Sequence, residues 1–268
     1  MSPNDEKIRL GGMALQNGVL VHGPTAWGVA VRTPEGELKV ASGKKSVRGA
    51  DVKSPLLRGP IRMLDAMLLL PRIRRRLPEA RLPFERPVVL GSMILSGLVV
   101  RQLRESKRIG PLAKELLAGT LSLAPATLAL RGSSLAEYHG AEHITIGTYE
   151  HDEPRGKVHE RCGSHLVGPL LLTSAAGTAL AARAPVAVRG VARAVAVVGS
   201  MAAATELFGW MVRHPEHPLA RALASPGHEL QARIATADPD PAQLEVAEAA
   251  LAACLELETD GAQHPHRG

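Results

Sequence analysis

The chain is poor in aromatic rings. Phe, Trp and Tyr together make up 2% of its 268 residues. Any core must therefore be built mainly from Ala, Val and Leu, and small side chains of this kind favour close helix packing over a bulky interior. The same shortage counts against binding of single-stranded nucleic acid, which relies on aromatic stacking platforms. Cysteine is also scarce: two residues, far apart, exclude a disulfide framework. The opening stretch Met1–Leu10 is polar and charged and does not read as a signal peptide. None of the apolar runs clearly reaches the ~20 residues expected of a membrane-spanning helix. Mean hydropathy is only +0.02.

Positive charge is plentiful. The net charge is +6, and residues 44–86 are strongly basic, from Lys44 and Lys45 through Arg72, Arg74, Arg75 and Arg76 to Arg86. Within this stretch Ile61–Leu70 repeats apolar residues at helical spacing, and Pro71 is expected to end that helix. A basic amphipathic helix suits an anionic membrane surface, so membrane lipids are the expected partner and nucleic acid is not. Four apolar runs follow: Val88–Val100, Leu116–Leu130, Leu166–Ala182 and Ala194–Val212. Arg101, Arg104, Arg183, Arg189 and Arg193 flank them in the manner of cytoplasmic loops. No single topology places every basic loop inside; re-entrant or interfacial segments, or a soluble Ala/Leu bundle, would resolve this.

The two ends read differently from the middle. Residues 11–41 carry an Asn17-Gly18 hairpin signal and a Thr33-Pro34-Glu35-Gly36 turn between β-branched stretches, which predicts a small antiparallel sheet. Near the other end, Asp240-Pro241 is a helix start. Leu244, Ala247, Leu251 and Cys254 then form an apolar stripe with Glu245, Glu248, Glu256 and Glu258 around it. This acidic helix is expected to pack on the basic N-terminal region, with Cys254 in the core. Thr259–Gly268 is expected to fray.

The chemistry is concentrated in Tyr138-His139-Gly140-Ala141-Glu142-His143 and in His159-Glu160-Arg161-Cys162-Gly163. His139 and His143 fall on one helix face, one turn apart, where two imidazoles can bind one tetrahedral metal ion. Glu142 stands beside the second imidazole, as a general base for water at a metal would. The string fits the H-x-x-E-H pattern of inverted zinc proteases. Isolated histidines of this kind often only hydrogen-bond backbone or cap a helix. His159 and Cys162, however, add N and S donors of the sort zinc accepts. Glu206, an acid inside the last apolar run, is a candidate further ligand, because proteases of the inverted type take a glutamate from a helix downstream. Its alternative is pairing with Arg193 or Arg213.

These segments together resemble the YqhQ-like family, a bacterial domain of unknown function described as a predicted metal-dependent, membrane-associated protein. The resemblance rests on Gly11-Gly12-Met13-Ala14 with Gly18-Val19 and Gly23-Pro24, on Tyr138–His143, on His159 with Arg161-Cys162-Gly163, on Glu206-Leu207, and on Pro218-Leu219 through Pro239 to Leu244–Ala247. Glu160 stands where the family usually has proline, and the hydrophobic section ahead of the central motif is shorter than usual. No established reaction comes with the resemblance.

The expected fold is α+β: a small N-terminal antiparallel β-sheet followed by a mostly helical, membrane-associated body. The expected organisation is a β-hairpin region over 1–43, a helical body over 44–258 continuous with it, and a disordered tail over 259–268. The expected function is that of a metal-dependent, zinc-like enzyme at the cell membrane, a hydrolase, with its site on the cytoplasmic side. His139, His143, His159, Cys162 and Glu206 are the candidate ligands and Glu142 the candidate catalytic base. The alternative is a non-catalytic membrane scaffold or regulator whose metal site is structural.

Overall fold

A computed structural model describes residues 7–46, 49–106, 108–131 and 133–263. Among them are four strands and eight α-helices, an α+β fold with the sheet first. The strands β1 (Gly11–Leu15), β2 (Gly18–His22), β3 (Ala26–Arg32) and β4 (Leu38–Lys44) form an antiparallel meander in sequence order. Leu15 pairs with Gly18, so the first hairpin loop is Gln16-Asn17. Gly18 is therefore not a turn glycine of the Asn-Gly kind. A Cβ there would lie 2.1 Å from the Ala30 carbonyl of β3. Asn17 ties the loop down: its amide donates to the Arg32 and Glu79 carbonyls and its oxygen accepts from the Arg81 N–H.

Alternation gives the sheet two different faces. Leu15, Leu20, Trp27, Val29 and Val31 point to one side, against Leu69, Leu70 and Ile73 of α1 (Pro55–Arg76). Ala14, Val19, Val21 and Ala30 point to the other, against α4 (Ser134–His151) and α8 (Pro241–Gln263). On this second side the middle of β3 offers the small residues Ala26, Gly28 and Ala30, and a Cβ on Gly28 would lie 2.4 Å from the Ala250 carbonyl. Small residues let the α8 backbone approach the sheet. The acidic α8 thus lies on the sheet and not on the basic α1, which covers the opposite face. Its acids still find partners there: Glu258 accepts from the Thr25 and Ala26 N–H groups, and Glu245 pairs with Arg32. Asp240 and Gln243 cap its start reciprocally, at 2.7 and 2.8 Å.

Three boundaries differ from expectation. The first helix runs through Pro71 to Arg76. Burial of Ile73 and, just beyond it, Leu77 on the sheet outweighs the one hydrogen bond proline removes. Helix α8 continues over Thr259–Gln263, while residues 264–268 lie outside the described ones. The apolar runs, measured as helices, are longer than their uncharged cores. The segments Pro87–Glu105, Gly163–Ala182 and Val186–Arg213 are each long and apolar enough to cross a membrane. The turns beyond the apolar residues, with Arg101, Arg104 or Arg189 in them, complete the length.

Helices α2 (Pro87–Glu105) and α3 (Pro111–Leu130) pack together as a hairpin, and α5 (Val167–Ala182) and α6 (Arg189–Arg213) form a second. In the second, Thr173 and Ser200 donate their hydroxyls to each other's carbonyls at 2.9 Å. The first hairpin is rooted in the body through Val89 and Ala129, which share a core with α4 and α8. The second is followed by α7 (Pro218–Leu230) and a π-helical turn, Gln231–Ala235.

Candidate metal centre

The site is built on α4. Its sequence places His139, Glu142, His143 and Ile146 on one face by 3.6-residue periodicity. The helix stops at Asp152, which adopts a left-handed conformation (φ 57°) that Asp tolerates. The chain then folds back so that 157–163 runs beside the helix it has just left.

The His139 and His143 rings meet edge to face, with centroids 4.3 Å apart. Each has its Nδ1 on a backbone carbonyl: His139 on Ala235 at 2.8 Å, and His143 on Lys157 at 2.6 Å. With Nδ1–H donating, each Nε2 carries the free lone pair, the arrangement found behind metal-ligating histidines. Burial lowers the pKa of His143, which keeps that ring neutral. The Cys162 Sγ lies 3.6 Å from His139 Nε2. Donor atoms of His139, His143 and Cys162 all fall within 4.8 Å of one another. Tetrahedral zinc with Zn–N of about 2.0–2.1 Å and Zn–S of about 2.3 Å sets N and S about 3.5 Å apart, so the His139–Cys162 spacing fits such an ion.

Glu142 faces the same cavity of about 230 Å³, which is bounded by Gly11, Gly12 and Gly163 as well as the three donors. Its carboxylate is 4.0 Å from His139 Nε2. Burial raises its pKa, and the neighbouring His139 and His159 oppose that only in part. The carboxylate is thereby a stronger proton acceptor than an exposed glutamate. Gly12 makes the space: a Cβ there would lie 2.3 Å from Glu142 Oε1.

The remaining candidates are engaged with other partners. His159 is beside the cluster, its ring 5.6 Å from that of His143, but both its nitrogens are engaged. Nδ1 accepts from the Arg161 N–H, and Nε2 faces Glu150 at 3.2 Å. Glu206 is not with the cluster at all. Its carboxylate is held by a two-pronged pair from Arg58 of α1, neither of the arginines that pattern reasoning offered.

Several supporting residues carry no sequence signal. Gln231 is fully buried in the π-helical turn. It donates to the His159 carbonyl and the Ser164 hydroxyl and accepts from the His159 N–H. The same turn delivers the Ala235 carbonyl to His139, and Gly140 admits the segment, since a Cβ there would lie 2.1 Å from the Ala237 carbonyl. A glutamine and two carbonyls do not announce themselves in a pattern. Gly12 was visible as part of Gly11-Gly12-Met13-Ala14, though not its role.

Residues 133–257 match one family model, described as a protein of unknown function (DUF1385). The DUF1385 domain thus takes in α4, the cysteine loop, the second hairpin and most of α8, while the sheet that supplies Gly12 precedes it. No curated protein and no solved structure matches the chain.

Proposed function

We propose that this protein is a metal-dependent membrane enzyme, a hydrolase, in which His139, His143 and Cys162 hold a zinc-like ion and Glu142 is the general base. The observation that carries the reading is the convergence of these three donors, both imidazoles oriented by backbone carbonyls, on a cavity that also holds a buried carboxylate. Zinc bound there would polarise a substrate and lower the pKa of water. Three protein ligands leave a fourth position open, as in catalytic zinc sites. His159 supports that count, because a ring that accepts from Arg161 N–H and faces Glu150 has no lone pair free for the ion. Glu142 takes the proton of water in the cavity, and its raised pKa suits the task near neutral pH.

The reading includes the YqhQ-like assignment, made on Tyr138–His143 and Arg161-Cys162-Gly163, and a place at the cell membrane. Three helices of adequate length and apolarity support the membrane. The arginines Arg72, Arg74, Arg75, Arg76 and Arg86 near the hairpin roots support a cytoplasmic site and contact with anionic lipid.

Metal analysis of purified protein tests the core of this. About one equivalent of zinc is expected in wild type and none in His139→Ala or His143→Ala; full retention in both variants overturns the site. Glu142→Gln separates enzyme from scaffold. It is expected to keep the metal and fail to complement a deletion, whereas normal complementation would favour a structural site in a non-catalytic scaffold or regulator.

A further inference from the structure

The ligands lie next to the roots of both apolar hairpins. Cys162 immediately precedes the apolar segment Gly163–Ala182, and His139 lies in the second turn of α4, just after α3 ends at Leu130. Three of the six aromatic residues lie near the same roots. Phe84 lies just before α2, and Phe208 and Trp210 lie in the last turns of α6, close to Arg213; the hairpin turns around residues 106–110 and 183–188 have basic residues and no aromatic ones. Aromatic rings with arginines beside them are the signature of a bilayer's headgroup zone.

A second cavity of about 240 Å³ lies beside the site. It shares His159 and Arg161 with the metal cavity and reaches Val212, two residues beyond Trp210. Arg155 and Arg161 line it together with Glu150 and Glu160; Arg155 pairs with Glu153 and Glu160, and Arg161 with Glu150, so a ligand's anion would share these arginines with the carboxylates. In its wall the Glu150 carboxylate is nearly buried, with one oxygen taken by His159 and Arg161 and the other, Oε1, without a hydrogen-bond partner among the described residues. A ligand carrying both an anion and a hydroxyl would meet the arginines with the first and Glu150 with the second.

We propose that the metal cavity opens at the headgroup level of the bilayer, on the side from which both hairpins enter, and that its substrate is a phospholipid whose headgroup occupies this second cavity. A volume of this size takes a glycerophosphate headgroup and excludes a folded protein. The proposal deepens the hydrolase reading by naming its substrate class.

Two measurements test it, both on metal-free protein, so that absence of zinc from wild type would defeat the hydrolase reading without touching them. In Trp27→Phe protein reconstituted in vesicles, Trp210 is the sole tryptophan. A nitroxide at the lipid headgroup should quench it more strongly than one midway down the acyl chain. Stronger quenching from mid-chain, or none from either, overturns the placement. In detergent, dihexanoyl phosphatidylglycerol should slow alkylation of Cys162 several-fold, and glycerol phosphate at equal concentration should not; Arg155→Ala, whose partners Glu153 and Glu160 are exposed, should lose the protection and keep the wild-type melting temperature. Equal protection by glycerol phosphate would mean a soluble phosphate ester in place of a lipid. Protection only by an apolar transmembrane peptide would mean a protein substrate, and no protection by any of the three would remove the headgroup cavity.

Discussion

Valine occupies two opposite environments in this molecule. In β3, Val29 and Val31 are 0% exposed. In α6, Val191, Val195 and Val198 are 68%, 65% and 58% exposed. The body has solved its burial problem internally, with one helix on one face of the sheet and two on the other. The hairpins have not: only 6% of the Pro87–Glu105 segment is buried inside the molecule. A row of apolar side chains left outward on several neighbouring helices is unfavourable in water and costs nothing in hydrocarbon. On the membrane reading proposed above, two solvents shape one chain. The body obeys the hydrophobic effect, while the hairpins are held by close packing of small residues and by the Thr173–Ser200 bonds.

The sharpest way to break this comparison is to truncate a side chain on each side of it. Trp27→Ala should cost about 3–5 kcal/mol, because the ring is enclosed in the α1 face of the sheet. Val195→Ala, with its side chain outward, should cost less than about 1 kcal/mol by the same measure of denaturation in detergent. Equal losses would mean that the hairpin valines are buried by something within the protein.

Val198→Lys goes further. A lysine at the middle of a spanning helix costs about 2.5–3.5 kcal/mol, so this variant should lose membrane insertion and fall in yield from the membrane fraction. A helix in water would accept the same lysine with better solubility and no other change, and that outcome would return the hairpins to the aqueous class.

The body also holds a pH signature. His22 is enclosed between Gly11, Lys45 and Asp65, with Glu258 near. Burial first, and then the Lys45 ammonium, lower its pKa from 6.5 to about 4. The folded state therefore holds this ring neutral where the unfolded chain would protonate it. The unfolded state binds the extra proton, so stability should drop as pH is lowered from about 6.5 to about 4, by about 3 kcal/mol at most. His22→Gln should flatten the melting temperature over that window; an unchanged slope would assign the loss to the carboxylates.

The smallest expected effect concerns the seam between the two regions. Arg58 of α1 grips Glu206 of α6, each side chain about a third exposed (33% and 30%). With that exposure the pair should contribute about 1 kcal/mol. Arg58→Met alone should destabilise more than Arg58→Met with Glu206→Leu, because the single change strands an acid in an apolar helix. Additive losses in the double-mutant cycle would show that the two groups are not coupled.

Much of this was legible in the residues. The sheet followed from alternation and turn chemistry, α4 from the spacing of its histidines, and α8 from Asp240-Pro241. The convergence of His139, His143 and Cys162 followed from motif spacing, since two are one turn apart and the third is only a short loop away. What escaped depends on distance along the chain. Arg58 and Glu206 meet across 148 residues, and no local pattern could prefer Arg58 over Arg193 or Arg213. The helix through Pro71 escaped because proline's local penalty was weighed without the sheet that Ile73 packs on. The apolar runs looked short because charged residues were counted as ends, when helices carry them as part of their last turns.

The placement of α8 sets an order of events. The sheet is synthesised first, yet Glu258, which holds Thr25 and Ala26, lies 233 residues further along the chain at its widest separation. At a synthesis rate of about 5–20 residues per second, the sheet waits roughly 10–50 s for its cover. During that interval Val19, Val21 and Ala30 face outward while both hairpins emerge. Gly12 cannot meet Glu142 until α4 has arrived, and the Ala235 carbonyl that fixes His139 comes later still. The nascent chain must therefore carry an unfinished apolar sheet through the whole of hairpin emergence, and His139 gains its Ala235 partner only after the second hairpin is complete.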